Sequence, residues 1–393
     1  MELSALEALA QRPGMAPLLD ALGSGTCRFV GGAVRDTLLG LPVVDVDLAT
    51  VLTPYEVMRR CGAAGIRTVP TGIEHGTVTA LVERQPVEIT TLRADVSTDG
   101  RRATVAFTDD WRADAERRDF TINALYWDPA SATLTDYFEG QHDLAAGLVR
   151  FIGEPLTRIA EDHLRILRFF RFQARFGRGE LDKASLAACV ARANDLMALS
   201  RERIADELLK LLALPDPAPT LWLMVENGIL APVLPEIDAT GCERLDHLIA
   251  TERVADVEAD AARRLSALLP AEPLTAEKVA ARLKLSNKLR KRLALAAEQD
   301  LNGHPRALAY AIGKEGAEDR LLLAGRAAEV RGLHDFVVPR LPVGGGELIR
   351  RGLKPGPIVA TTLKQIEQRW VEEGFPNEER LAQLVDEALK SAR

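Results

Sequence analysis

Cysteine is scarce in this chain: four residues among 393, with no CxxC pair. Cys27, Cys61, Cys189 and Cys242 are too dispersed for a zinc site or a disulfide framework, so they read as reduced packing residues. Long apolar runs are missing too, and no stretch approaches the roughly twenty residues needed to cross a bilayer. The opening "MELSALEALAQRPGM" is acidic and amphipathic, without the basic region and apolar core of a signal peptide. A cytoplasmic protein is expected, with no membrane and no zinc among its partners. An excess of positive charge is the third absence. The net charge of −7 excludes a protein that coats nucleic acid unselectively, yet leaves room for a local basic groove.

The length calls for two to four domains. Up to about residue 150, β-type runs ("CRFV", "VVDVDLA", "GTVTALVE", "VEITTLR", "LYWD") alternate with Gly, Pro and Asp turns. Between them "GAVRDTLLG" and "TPYEVMRRCGAAG" read as helices, the second with Thr53 as N-cap and Pro54 at the first helical position. From about residue 155 a 3.6-residue period takes over. The expectation is an α/β head, a sheet with helices, followed by an all-α remainder punctuated by proline.

The chemistry starts at "GGAVRDTLLGLPVVDVDLAT". Val43 to Leu48 reads as a strand, on which Asp45 and Asp47 share one face while Val44, Val46 and Leu48 line the other. Two carboxylates on one face repel, and a divalent cation relieves the repulsion; hard oxygen ligands suit Mg²⁺. Glu88, in "VEITT", could join them from a neighbouring strand. An isolated DxD also fits the polar edge of a sheet, or a glycosyltransferase holding a metal-bound nucleotide sugar. The stretch before it narrows the choice. "CRFVGGAVRD" is strand, two glycines and a helix start, where Gly31 and Gly32 let backbone N–H groups approach phosphate. Arg35 adds a charge-assisted contact one turn in.

At these residues the sequence resembles the nucleotidyltransferase superfamily related to DNA polymerase β, and within it the class II tRNA CCA-adding enzymes and bacterial poly(A) polymerases. The blocks that carry the likeness are "FVGGAVRDTLLGLPVVDVDLAT", "HGTVTALVERQPVEITTLR", "ERRDFTINALYWD", "YFEGQHDLAAGLVRFIG" and "EDHLRILRFFRFQARFG". They cover about the first 210 residues; "LPVGGGELIRRGLKPGPIVATTLKQIEQRW" resembles the tail of these enzymes more faintly. The resemblance implies a catalytic head over 1–150, a neck with a nucleobase-recognising helix over 151–215, a helical body over 216–335 and a tRNA-binding tail over 336–393. It implies Asp45 and Asp47 as the metal-binding catalytic pair, supported by Glu88. Gly31, Gly32 and Arg35 would meet the triphosphate, and Arg117, Arg118, Asp119 and Asn123 would arrange ribose and phosphates. "DGRRATVAFTDDWRADAE" matches the loop that moves such sites between CTP and ATP, which favours addition of C, C and A with pyrophosphate release.

In "EDHLRILRFFRF", read as a helix, Asp162 and Arg165 are three apart, with Arg168 and Arg171 continuing the ridge. By itself that pattern fits an exposed salt-bridged face. The resemblance makes Asp162 and Arg165 a protein template for the base edge: a carboxylate accepts from the exocyclic amine of C or A, and a guanidinium donates to ring nitrogen or carbonyl. Uracil and guanine present a carbonyl oxygen there instead. His75 and His163 read as structural. Basic residues from Lys284 to Leu293, and Lys354, are candidates for tRNA backbone contact. Rival readings are a poly(A) polymerase, which shares the head motifs and selects ATP, and a non-catalytic RNA-binding protein on the same fold. The sequence leaves monomer and dimer equally open.

Overall fold

The computed structural model describes residues 3–98, 103–301 and 303–392. The chain forms two compact units, Met1–Glu207 with Asn227–Val233, and Leu208–Glu226 with Leu234–Arg393. The first holds every strand. These are β1 (Cys27–Val30), β2 (Val46–Thr50), β3 (Arg67–Gly72), β4 (Thr77–Val82), β5 (Gln85–Thr91), β6 (Arg93–Thr98), β7 (Ala103–Phe107), β8 (Leu125–Asp128) and β9 (Thr133–Asp136). Seven make one sheet in the order β3-β4-β5-β2-β1-β8-β9, and among the described residues β6 pairs only with β7. All neighbours in the sheet are antiparallel except β2 and β5, which run parallel and set Asp47 opposite Glu88.

Local chemistry explains the elements. In β2, Val46 and Leu48 are buried and Asp47 between them faces away, as the two-residue strand period requires. Gly31, with φ 67° and ψ −127°, turns the chain from β1 into α1 (Gly32–Leu38). Thr53 caps α2 (Pro54–Ala63) by accepting from Glu56 N–H at 3.3 Å, with Pro54 at the first position. After the helices α3 (Trp111–Glu116) and α4 (Pro155–Glu161) comes α5 (Arg165–Phe176). Its apolar side, Ile166, Leu167, Phe169 and Phe170, is buried. Phe151 meets Phe120 at 5.0 Å and Phe169 at 5.7 Å between ring centres, fixing α5 to the end of the sheet domain. Each buried phenylalanine contributes about 1.5–3 kcal/mol.

The structure departs from the sequence reading in two places. The strand begins at Val46, not Val43, and Val44 is 83% exposed. Extending the parallel register would set Asp45 against Pro86, which has no N–H to donate. Asp162 is not helical: at φ −151° and ψ 106° it separates α4 from α5. Its Oδ1 accepts from Leu164 N–H at 3.1 Å, a local bond that competes with the helix. The loop "DGRRATVAFTDDWRADAE" lies partly outside the described residues, at 99–102; the rest forms β7 and α3.

The second unit is all helix. The helices used below are α6 (Arg201–Leu212, which begins in the first unit), α7 (Ala239–Ala255), α8 (Ala261–Leu268), α9 (Pro273–Arg282), α10 (Asn287–Ala297) and α11 (Lys314–Leu323). No helix among the described residues is long and apolar enough to cross a membrane. The four cysteines are free and buried.

Candidate active site

A cleft of about 580 Å³ opens in the first unit. Its walls carry Gly31 and Gly32 from the β1–α1 turn, Arg35 from α1, Asp45 and Asp47 at the start of β2, Arg118, Asp119 and Asn123 from the segment before β8, and Asp162, Arg165, Arg168, Arg171 and Phe172. Thus the two aspartates of one motif and the Asp162–Arg171 series, more than a hundred residues later, face one space.

The acidic end is electrostatically loaded. Burial, followed by the negative charges of Glu88 and Asp45, pushes the Asp47 carboxyl from its ordinary 3.8 up to about 6, against the pull of Arg118. Neither Asp45 nor Asp47 takes a hydrogen bond or ion pair among the described residues. Asp45 and Glu88 are exposed. Glu88 lies beside Asp47 across the sheet but does not line the cleft. Among the described residues no group of three His, Cys, Asp or Glu side chains is set to hold a metal. The donor set is therefore two hard carboxylates with no directly bonded protein cation, Arg118 acting only at a distance, and room for further oxygen ligands, which fits Mg²⁺ completed by water and phosphate.

The basic wall is held by a chain of bonds. Arg35, 5% exposed, donates through Nε to Asp36 at 2.8 Å and through Nη1 to Asn123 Oδ1. Asn123 donates to Asp119 Oδ1 at 2.8 Å, and Arg168 Nε donates to Asp119 Oδ2 at 2.8 Å. Burial alone would raise the Asp119 carboxyl, but Arg168, Asn123 and the Phe120 N–H outweigh it and hold it below 3.8. Arg171 donates to Glu207 at 2.6 Å. Arg118 is braced from behind, with Nε on the Tyr126 hydroxyl at 2.9 Å and Nη2 on Asp114 at 3.3 Å.

The side chains of Asp162 and Arg165 are not paired with each other. Asp162 takes Arg203 on Oδ2 at 2.8 Å, while Arg165 grips Glu161 and the carbonyls of Arg158 and Arg117, the last at 2.9 Å. Of the residues expected at the site, Glu88 and Arg117 do not reach the cleft; Arg117 contributes its backbone carbonyl to Arg165. The sequence reading passed over Phe172, whose ring lies under Arg35, Arg168 and Arg171 at 5.2, 5.3 and 4.8 Å. It also passed over Glu207 and Arg203. Glu207 carried a signal: a carboxylate among Ile204, Leu208 and Leu211 in the buried stripe of α6 needs a cationic partner.

Gly31 offers a first test. A Cβ there would stand 3.4 Å from Arg118 Nη1 in the cleft, and Gly40, also at φ 67°, meets nothing within 4 Å. Both Gly→Ala changes are expected to cost about 1–2 kcal/mol of backbone strain. Only Gly31→Ala is expected to weaken CTP binding, by about tenfold, in titration calorimetry of the two variants.

Comparison with known proteins adds the remaining information. Residues 27–150 match the family described as "Poly A polymerase head domain", and residues 180–240 match "Probable RNA and SrmB- binding site of polymerase A". The mitochondrial CCA tRNA nucleotidyltransferase 1 of Mus musculus is 34% identical over 372 residues, covering 88% of this chain and 83% of that protein. The CCA-adding enzyme of Lacticaseibacillus paracasei is 35% identical, covering 89% of each. The crystal structure of a Bacillus stearothermophilus CCA-adding enzyme in complex with CTP superposes with a TM-score of 0.75 at 28% identity, over 100% of this chain and 99% of that one. With relatives this similar over so much of their length, the chain belongs to the family of CCA-adding enzymes, the CCA tRNA nucleotidyltransferases.

Proposed function

We propose that this protein adds C, C and A to the 3′ end of tRNA from CTP and ATP, releasing pyrophosphate, in a cytoplasmic setting. One observation carries the reading: the carboxylate pair and the Asp162–Arg171 series line the same cleft, so a nucleoside triphosphate can have its phosphates at one wall and its base at the other. Asp45 and Asp47 would hold Mg²⁺, with Glu88 tuning Asp47 from the next strand. An ion held there supplies the lowered pKa of the attacking 3′-hydroxyl and the neutralisation of charge on the leaving side. Arg35, Asn123 and Arg118 bind and orient the triphosphate and ribose. Asp162 and Arg165 read the base edge. Opposite a uracil or guanine carbonyl, the Asp162 carboxylate has no proton to receive, a mismatch worth about 1–3 kcal/mol when buried. The head, neck, body and tail boundaries belong to this reading.

The decisive assay supplies a tRNA lacking its 3′ end with CTP and ATP, separately and together. The expected product carries C, C and A. Long tracts from ATP alone would overturn the reading in favour of a poly(A) polymerase, and no incorporation would favour an RNA-binding protein. Asp162→Ala is expected to reduce the preference for CTP over UTP by about 10–100-fold, read as the ratio of kcat/KM values. A discrimination ratio equal to wild type would remove Asp162 from the template.

The raised Asp47 carboxyl gives a pH test with its own sign. Its protonated form does not bind metal, so apparent Mg²⁺ affinity measured through CTP binding is expected to fall about tenfold from pH 7 to pH 5. Above pH 7 it levels off. A flat profile across pH 5–7 would contradict the assignment.

A further inference from the structure

We infer that the helix-turn-helix of α9 and α10 in the second unit is a docking surface for the phosphate backbone of RNA, with Lys288, Arg290 and Lys291 as its contacts. The inference rests on the reading of the protein as a tRNA-acting enzyme and says which surface holds the RNA.

The observation is a concentration of positive charge that is compensated only in part. The stretch Leu283 to Ala297 contains five cationic residues and no acidic one, in a chain whose net charge is −7; Arg292 is held by Asp319 and Asp260, and the surface rests on Lys288, Arg290 and Lys291. Several arginines elsewhere in this unit are neutralised: Arg282 on Glu236, Arg351 on Glu347, Arg380 on Glu373. The side chains of Lys288, Arg290 and Lys291 make no ion pair or hydrogen bond among the described residues. Lys288 and Lys291 are exposed and lie one turn apart on the same side of α10.

Three features of this motif work against stability. The turn closes as a Schellman motif, with Lys284 N–H on Ala281 O at 3.0 Å and Leu285 N–H on Ala280 O at 2.9 Å. Its left-handed position, φ 53°, is filled by Lys284 where glycine is the unstrained residue. Lys288 occupies the second position of α10, behind the Ser286 cap, where the helix macrodipole disfavours a cation. Lys288 and Lys291 repel each other at the i,i+3 spacing. A polyanion lying across the start of α10 relieves the last two, and no protein group in the described residues does so. The surface offers point charges without an aromatic ring to stack a base, so it suits backbone contact that positions without reading sequence.

The test uses the full-length enzyme and a tRNA lacking its CCA end. In the double variant Lys288→Glu and Lys291→Glu, Kd for this tRNA, by fluorescence anisotropy, is expected to rise about 10–100-fold. The slope of log Kd against log salt is expected to fall by about two. Kd for CTP and the melting temperature serve as folding checks; charge reversal at Lys288 suits the dipole, so no loss of stability is expected. Unchanged tRNA affinity and salt slope would overturn the inference, as would an equal loss in the charge-matched variant Arg67→Glu and Arg84→Glu, at two exposed positions of the sheet domain. Failure of the wild type to incorporate CTP and ATP would sink the proposed function instead, and the Kd comparison would still decide the surface.

Discussion

Replacing Asp47 by asparagine is expected to abolish nucleotide transfer while making the first unit more stable. On the proposed metal assignment, loss of this carboxylate removes several kcal/mol of transition-state stabilisation, a drop of at least about a thousand-fold in kcat. The stability change has the opposite sign. In the folded protein the Asp47 carboxyl sits near 6 instead of 3.8, because of burial first and then the charges of Glu88 and Asp45. A carboxyl raised on folding is harder to ionise there than in the unfolded chain, so above pH 6 its charge opposes folding by about 1–3 kcal/mol. That opposition fades as pH falls from 6 towards 4. Asparagine removes it at every pH. Melting curves at pH 7.5 should place the variant several degrees above wild type, with the difference shrinking at pH 4.5. A variant less stable than wild type at pH 7.5 would mean that Asp47 is compensated by a protein group, and the case for a cation there would fail.

The second large effect concerns stability alone. Glu252 on α7, 2% exposed, takes Arg263 Nε at 2.8 Å and Arg264 Nε at 3.0 Å, both from α8. Arg263 and Arg264 are themselves 4% and 3% exposed. Arg263 also meets Asp319 of α11 at 3.4 Å, and Arg264 closes the end of α6 by donating to Leu212 O at 2.9 Å. Glu252→Ala leaves two buried cations short of negative charge, which is expected to cost about 3–5 kcal/mol. Differential scanning calorimetry should show the second unit's transition falling by roughly ten degrees. Replacing Glu252 and Arg264 together by methionine should recover part of the loss, because one of the two stranded cations is removed and Arg263 keeps Asp319 beside it. Equal losses in the single and double variants would assign the effect to packing instead.

The sequence revealed what depends on short-range spacing. The alternation around Asp47, the paired glycines after β1 and the Thr53–Pro54 helix start are local patterns, and each has its expected counterpart in the structure. Partnerships between distant residues were not legible. Nothing near Asp162 indicates Arg203, and nothing near Arg171 indicates Glu207, because such pairs exist only after α5 and α6 are folded side by side. The helical ridge through Asp162 failed for a local reason that periodicity does not register: an aspartate can satisfy a backbone N–H from outside a helix. Arg117 illustrates a different limit. A motif can identify a residue without saying whether its side chain or its carbonyl does the work.

The buried cysteines have a practical consequence. Burial raises the thiols of Cys27 to about 12 and Cys242 to about 11, and those of Cys61 and Cys189 in the same direction, so none offers appreciable thiolate at neutral pH. Alkylating reagents can reach them only through transient opening. Three of the sulfurs belong to the first unit and Cys242 to the second. Mass spectrometry of trapped thiols therefore clocks the opening of each half separately, using labels already present in the natural chain.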